Sequence, residues 1–317
     1  MLSLCRYLLQ ITQRKDFKPL AQTRGFFPMD YVGTIIRPPS EAHSLLLQIS
    51  LGCSHNGCTF CGAYRDKRFR AKPIETVLGD IEKARTLLPS PTSLFLADGD
   101  ALALPQMHLL KILCAIKDKL PWVKRINSYA SPRSLLQKTT NQLIRLRKLG
   151  LSRIYLGLES GADEVLCSVN KGACASQIIE GGKKALDSGL YLSTSIILGL
   201  GGKRYSKLHA QKTAEALSIL RPQHIAALTL MILPETPLAH SYAGKEFLPL
   251  SSHEILQELK WLVAGIDVDK AQFHANHASN HLHLSGKLPR DKENFIHLID
   301  RACAGKLPLM PDYMRSL

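Results

Sequence analysis

Residues 152–199 read SRIYLGLESGADEVLCSVNKGACASQIIEGGKKALDSGLYLSTSIILG, and this stretch decides the fold. The apolar runs at its two ends, 152–159 and 192–199, are strand signals. Between them ASQIIEGGKKALDSG (175–189) carries the helical period and stops at a glycine. A crossover of a dozen residues or more, built around a helix, joins parallel strands. Reading outward, the same rhythm recurs in both directions. SLLLQISL (44–51), SLFLADG (93–99), VKRINSYA (123–130) and HIAALTLMIL (224–233) are further strand candidates. Helical periods separate them: Ile74, Val77, Leu78, Ile81 and Leu88 share one face, and PQMHLLKILCAIKDKL (105–120), SLLQKTTNQLIRLRKLG (134–150) and YSKLHAQKTAEALSIL (205–220) follow. Six such units predict an α/β protein, a partial (β/α)6 barrel of the TIM type with a C-terminal extension.

The expected parts are a basic N-terminal extension over 1–28, the barrel core over 29–240, and a helical and polar segment over 241–317 that closes the barrel mouth. That last segment reads as a helix SSHEILQELKWLVAGI, the polar AQFHANHASNHLHLSGKLPRD and a terminal helix ENFIHLIDRACAG. In a βα barrel the working residues lie at the C-terminal ends of the strands.

With 317 residues, 45% of them hydrophobic, the chain is long enough for one large core. No apolar run approaches the roughly 20 residues that cross a bilayer. The formal charge of +15 is spread along the chain without a dense tract, which favours a basic soluble surface over a nucleic-acid partner. Cys5, Cys114, Cys167, Cys174 and Cys303 show no paired spacing, which argues for a reducing compartment and a cytoplasmic location. Residues 1–28 carry Arg6, Arg14, Lys15, Lys18 and Arg24 against Asp16 alone. They read as a mitochondrial transit segment or, somewhat favoured, as the product of an upstream start codon before Met29.

Cys53, Cys58 and Cys61 stand in LGCSHNGCTFCGAY, directly after the first strand. Three thiolates on one loop hold three irons of a 4Fe-4S cube and leave the fourth open. The alternative is zinc with His55 as fourth ligand. Glycine tolerates positive φ, and Gly57 is expected to use that freedom to fit the four residues between Cys53 and Cys58. Further along, Asp98-Gly99-Asp100 follows the second strand, Asn127-Ser128-Tyr129 ends the third, Glu159 ends the fourth, and Gly199, Gly201 and Gly202 follow the fifth.

In that order, over residues 40–235, these motifs resemble the radical SAM superfamily, and most of all the branch with the Elongator catalytic subunit, methylthiotransferases, NifB and oxygen-independent coproporphyrinogen oxidase. The chain has CxxxxCxxC where the family has CxxxCxxC. The resemblance implies a 4Fe-4S cluster on Cys53, Cys58 and Cys61, and S-adenosylmethionine (SAM) on its open iron. Reductive cleavage of SAM then gives a 5'-deoxyadenosyl radical that abstracts hydrogen from a substrate. By the same resemblance Phe60 lies near the adenine, Asp98, Gly99 and Asp100 hold the SAM amine, and Ser128 and Glu159 supply polar contacts, Glu159 to the ribose. Gly199 and Gly201 admit the adenine, and Arg204 reaches the SAM carboxylate. An external electron donor of the flavodoxin or ferredoxin type is implied as well. Pro234-Glu235-Thr236-Pro237-Leu238 resembles a structural turn of the family.

His274, Asn276, His277 and Asn280 are candidate substrate contacts, and His281 and His283 alternate as on one strand face. No further cysteine constellation accompanies the trio, which weighs against methylthiolation. The expected function is a radical SAM enzyme with a single cluster and an unidentified substrate. The alternative is a non-catalytic Fe-S or zinc protein that binds RNA or a protein partner.

Overall fold

The computed structural model describes residues 29–86 and 90–316; the expected extension 1–28 and Leu88 lie outside the described residues. Ten strands follow one another along the chain: β1 (Leu45–Gln48), β2 (Ser50–Leu51), β3 (Arg70–Ala71), β4 (Ser93–Ala97), β5 (Arg125–Ala130), β6 (Leu151–Glu159), β7 (Tyr191–Leu198), β8 (His224–Thr229), β9 (Ala271–Ala275) and β10 (Leu284–Leu288). Eight form one sheet in the order β1-β4-β5-β6-β7-β8-β9-β10. Every pair from β1 to β9 is parallel, and β10 returns antiparallel to β9. The partial TIM-type barrel is therefore present, and the parallel run is one strand longer than the six units read from the sequence. β9 and β10 arise inside the segment expected to be helical and polar. Their buried positions alternate with half-exposed His and exposed Gln, Ser and Lys, so no apolar run announces them. His281 and His283 lie in the connection between these strands rather than on a strand face.

The stretch read as one helix over 134–150 is two, Pro132–Gln137 and Thr140–Lys148. Thr139 starts the second with a capping box: its hydroxyl accepts from the Gln142 amide while the Gln142 side chain accepts from the Thr139 amide. Apolar periodicity runs through such a break unnoticed.

The outer face of the sheet holds the core. Leu156 and Leu192 lie against Gly182 of the helix Ala175–Asp187, where an added Cβ would come within 2.6 Å of Leu220 and 3.2 Å of Leu192. The missing side chain lets the helix settle closely on the strands. Ile154, Leu156, Leu192 and Ile225 are essentially inaccessible and belong to one continuous aliphatic cluster. Each such burial contributes about 2 kcal/mol. The alternating residues of the same strands turn to the concave inner face: Phe95, Asn127, Tyr129, Arg153, Tyr155, Glu159 and Ser193. Phe95, Tyr129 and Tyr155 meet edge to face there, with ring centres 5.1–5.9 Å apart.

The short ribbon of β2 and β3 closes the base of the loop that holds the three cysteines. Met29 is buried in the core, Val32 donates its amide to Gln48 Oε1 at 2.9 Å, and Tyr31 donates to the Leu46 carbonyl at 2.8 Å, so the segment before β1 lies along that strand. Among the described residues, no helix is long and apolar enough to cross a membrane.

Candidate metal and cofactor site

Gly52 begins the cysteine loop with φ +74° and donates its amide to Asp98 Oδ2 at 2.7 Å. The same oxygen accepts from Gln48 Nε2 at 3.2 Å and pairs with Lys67 Nζ at 3.4 Å. Asp98 is fully buried, and burial raises its carboxyl above the usual range against the pull of the Gly52 amide and Lys67. Its other oxygen has no hydrogen-bond partner. Asp100 is fully buried too. It accepts from Ser54 Oγ, from the Ser131 amide at 3.0 Å and from Ser134 Oγ at 2.7 Å. Both acids of the Asp-Gly-Asp turn thus reach into the loop that carries the cysteines. Gly99 lies between them because nothing larger fits: a Cβ there would stand 2.7 Å from Cys53 Cβ and 2.9 Å from the Tyr64 ring.

The longer interval between Cys53 and Cys58 is accommodated by Asn56, at φ +37°, and not by the positive φ expected at Gly57. Asparagine tolerates this region because its short amide side chain satisfies the local backbone. Here Asn56 Nδ2 donates to the carbonyls of Tyr64 at 2.7 Å and Lys67 at 3.2 Å. Gly57 serves close approach instead, since a Cβ would lie 3.0 Å from Asn170 Nδ2. Arg65 fastens the far half of the loop, donating to the carbonyls of Cys61 at 2.8 Å and Cys58 at 2.7 Å.

The chain after β6 forms the opposite wall. Thr59 donates its amide to the Val169 carbonyl at 2.9 Å, Asn170 Nδ2 donates to the Gly57 carbonyl at 3.0 Å, and His55 Nε2 lies 2.6 Å from the Asn170 carbonyl. Lys171 follows and donates to Glu159 Oε1 at 3.0 Å. Glu159 has φ +60° at a register shift, and Gly157 leaves room for its carboxylate: a Cβ there would lie 2.0 Å from Glu159 Oε1. Burial alone would lower the Lys171 ammonium, but Glu159 and the thiols of Cys58 and Cys53 outweigh it and raise its pKa. Lys171 was not singled out from the sequence. Its only local signal is the Asn170-Lys171-Gly172 turn, in which Asn170 and Gly172 both take positive φ.

All three cysteines are half-buried. Burial pushes the Cys58 thiol up to about 11, with Lys171 pulling down and Glu159, Cys61 and Cys53 adding to the rise. Burial raises Cys61 too, against an opposing backbone hydrogen bond, and Cys53 adds to the rise. The thiols are close enough to feel one another, yet among the described residues no three His, Cys, Asp or Glu side chains gather about one ion position. Three thiols on one loop are a donor set that a 4Fe-4S cluster takes, one thiolate to each of three irons. His55 is engaged with Asn170 through Nε2.

The remaining expected residues divide. Phe60 packs beside the cluster of Ala162, Val165, Val169 and Leu200, near Tyr205. Leu238 donates its amide to the Thr59 carbonyl at 3.1 Å, which ties the Pro234–Leu238 turn to the cysteine loop. Gly199 and Gly202 both have positive φ. Gly201 is the N-cap of the helix Gly202–Leu220. Ser128 pairs in register with Ile154 on the outer face and donates to the Tyr129 carbonyl at 2.8 Å, away from the cysteines. Arg204 is exposed and stacks on Tyr205 at 4.9 Å. His274 lies in β9, Asn276 is exposed, and His277 Nδ1 lies 2.9 Å from Ser279 Oγ. Asn280 is buried, donating to the Ala227 carbonyl and accepting from Thr229 Oγ1 at 2.9 and 2.8 Å.

Glu258 is a residue that the sequence did not point to. It is fully buried and accepts from the Gly199 amide at 2.6 Å and Ser206 Oγ at 2.5 Å. His209 Nε2 lies 3.7 Å from it, and His209 Nδ1 lies 2.8 Å from Ser160 Oγ. Burial raises Glu258 to about 7 and lowers His209 to about 4, favouring the neutral form of each. Through it the turns after β6 and β7 are fixed to one another.

A search of curated protein sequences finds no match to this chain. Among solved structures, the chain is similar to methylornithine synthase, with 14% identity and a TM-score of 0.51 over 81% of this chain and 68% of that one. It is similar to the coproporphyrinogen III oxidase of Escherichia coli, a radical SAM enzyme, with 19% identity and a TM-score of 0.53 over 70% of this chain and 51% of that one. A radical SAM methyltransferase from Kitasatospora setae gives 15% identity and a TM-score of 0.53 over 65% and 39%. At these identities the likeness concerns the fold, and the chain spans about half or less of the second and third relatives. The family model of the radical SAM superfamily matches residues 47–210, just over half of the sequence and the span that holds the cysteine loop, Glu159 and the Gly199 turn. This chain therefore belongs to the radical SAM superfamily.

Proposed function

We propose that this protein is a single-cluster radical SAM enzyme that abstracts hydrogen from a substrate held on the inner face of the sheet. Enzymes of the superfamily use a 4Fe-4S cluster and S-adenosylmethionine, and these are the cofactors of this chain. The observation that carries the reading is the set of three half-buried thiols on one doubly fastened loop beside the Glu159–Lys171 pair. When bound, cluster and SAM supply a 5'-deoxyadenosyl radical, chemistry that no side chain here performs alone.

Cys53, Cys58 and Cys61 would hold the cluster. Lys171 would offset the negative charge of their thiolates and would supply a cation for the SAM carboxylate, with Arg204 the other candidate. Glu159 keeps acceptor capacity beside its bond to Lys171 and suits vicinal ribose hydroxyls. Asp98 and Asp100 work through the loop they hold, and Phe60 with the Gly199 turn offers an apolar wall for a base. The aromatic group Phe95, Tyr129 and Tyr155 gives the inner face a floor that water enters poorly, which protects a reactive intermediate from side reactions. A reductant is required, as for radical SAM enzymes generally.

Anaerobic reconstitution tests the reading. The expected result is about four irons per chain and reductant-dependent release of 5'-deoxyadenosine and methionine from SAM, abolished in C58S. A colourless zinc-loaded protein, or a reconstituted cluster that binds no SAM, overturns it.

A further inference from the structure

The inner face carries a second polar cluster, at the end of the strands remote from the cysteine loop. Arg153 and Tyr155 stand near the start of β6, opposite Tyr191 and Ser193 of β7, and Ser193 in turn is opposite His224 at the start of β8. From Arg153 to Glu159 the strand runs roughly 20 Å. The two clusters are separate sites.

The Arg153 guanidinium lies 4.4 Å from the centre of the Tyr191 ring and 5.8 Å from that of Tyr155, and it donates to the Tyr155 hydroxyl at 3.2 Å. Among the described residues it makes no ion pair with a carboxylate. The acid next in line, Glu41, is buried and occupied by Tyr155, Asn127 and Ser44. The His224 and His274 rings are 5.1 Å apart and tilted by 37°. A serine fixes each from behind: Ser193 Oγ is 2.7 Å from His224 Nδ1, and Ser285 Oγ is 3.1 Å from His274 Nδ1. Neither Nε2 has a hydrogen-bond partner among the described residues, and both rings are half-exposed.

A metal ion is the wrong occupant. Among the described residues only two imidazoles converge and no third donor joins them, and the Arg153 charge acts on His224. An anion suits every group present. In the tautomer in which the serine hydroxyls donate to Nδ1, both imidazoles carry their protons on Nε2 and add two neutral donors to the guanidinium fork. An unpaired arginine on a tyrosine face is the side chain that recognises planar carboxylate or tetrahedral phosphoryl oxygens. We propose that Arg153, His224 and His274 form a binding site for an oxyanion, the carboxylate or phosphoryl group of a ligand, at the strand-start end of the inner face.

The test uses the full-length, cluster-loaded protein with inorganic phosphate and acetate as separate probes, followed by calorimetry and by the 15N shifts of the histidine Nε2 atoms. Saturable binding of at least one probe is expected, with shifts at His224 and His274 and an affinity at least tenfold weaker in R153Q and in the H224Q/H274Q double variant. Tighter binding of phosphate marks a phosphoryl ligand, and tighter binding of acetate marks a carboxylate. Cleavage of SAM in the absence of substrate should stay within twofold in R153Q, so loss of the anion site is separable from loss of the radical chemistry. Absence of shifts with both probes, or an R153Q protein that binds as the wild type does, overturns the proposal.

Discussion

On the outer face of β6 and β7, Ile154, Leu156 and Leu192 are shut away beneath helices, whereas on the inner face of the same strands Arg153, Tyr155, Glu159 and Ser193 line a concave surface. In a closed eight-stranded barrel the interior is filled by layers of branched aliphatic side chains. Here the sheet stays open between β1 and β10, and its inner layer is polar and aromatic. Folding free energy is concentrated on one side of the strands and chemistry on the other. The alternation of side chains along a strand makes that division possible.

Substitutions that respect or cross this division should behave differently. The largest effect is expected from L192A on the outer face, about 3 kcal/mol of lost stability from transfer and cavity terms together, measured by urea denaturation. A larger truncation on the inner face, Y191A, should still cost less, and equal losses would erase the contrast. At the inner rim, K171M leaves Glu159 buried without its partner and should also cost about 3 kcal/mol. The double variant K171M/E159Q should recover most of that loss in stability while still binding SAM poorly. A double variant as unstable as K171M alone would show that the pair is not coupled.

The Glu258–His209 pair is a polar exception on the outer side, and its titration gives a signed prediction. Glu258 is raised from 4.5 to about 7, so its stabilising contribution is complete below 4.5 and is lost as pH rises through 7. His209 is lowered from 6.5 to about 4, so its contribution is complete above 6.5 and is lost as pH falls through 4. Between 4.5 and 6.5 the two slopes oppose. H209Q should therefore expose a loss on the order of 3 kcal/mol between pH 4.5 and 7 relative to the wild type. E258Q should expose the opposite slope, and identical pH profiles for both variants would exclude this account.

The smallest effect concerns the longer cysteine loop. N56A forces an ordinary side chain into positive φ and removes two hydrogen bonds, for about 2 kcal/mol. N56G keeps the backbone conformation and should cost less than N56A. The difference is measurable as iron retention during thermal ramping, and N56A holding iron better than N56G would count against a conformational role for Asn56.

Much of this protein was legible as sequence because its signals are local. A strand of the parallel run announces itself by four to eight apolar residues, and a helix by its period and its stop. Six strands were found for that reason, with ends within a few residues. β9 and β10 were not, since their outward positions are polar and the others are sheltered only once β9 pairs with β8 and β10 with β9. The three cysteines were legible because ligand spacing on one loop is a property of the chain itself. Asn56, Lys171 and Glu258 were not, because each acquires its meaning from a partner far along the sequence or from a backbone angle. Asp98 and Asp100 were found, but their hydrogen bonds run to the loop that they anchor.

The sequence by itself determined the alternation of strand and helix, the cysteine triad and the family to which both belong, all set by periodicity and spacing over short stretches. Only the tertiary structure decided which side of each strand faces inward, which cation stands beside the thiols, and where an arginine and two histidines from three separate strands converge. Those outcomes depend on strand register and on burial. Both are settled only when segments distant in sequence compete for the same space.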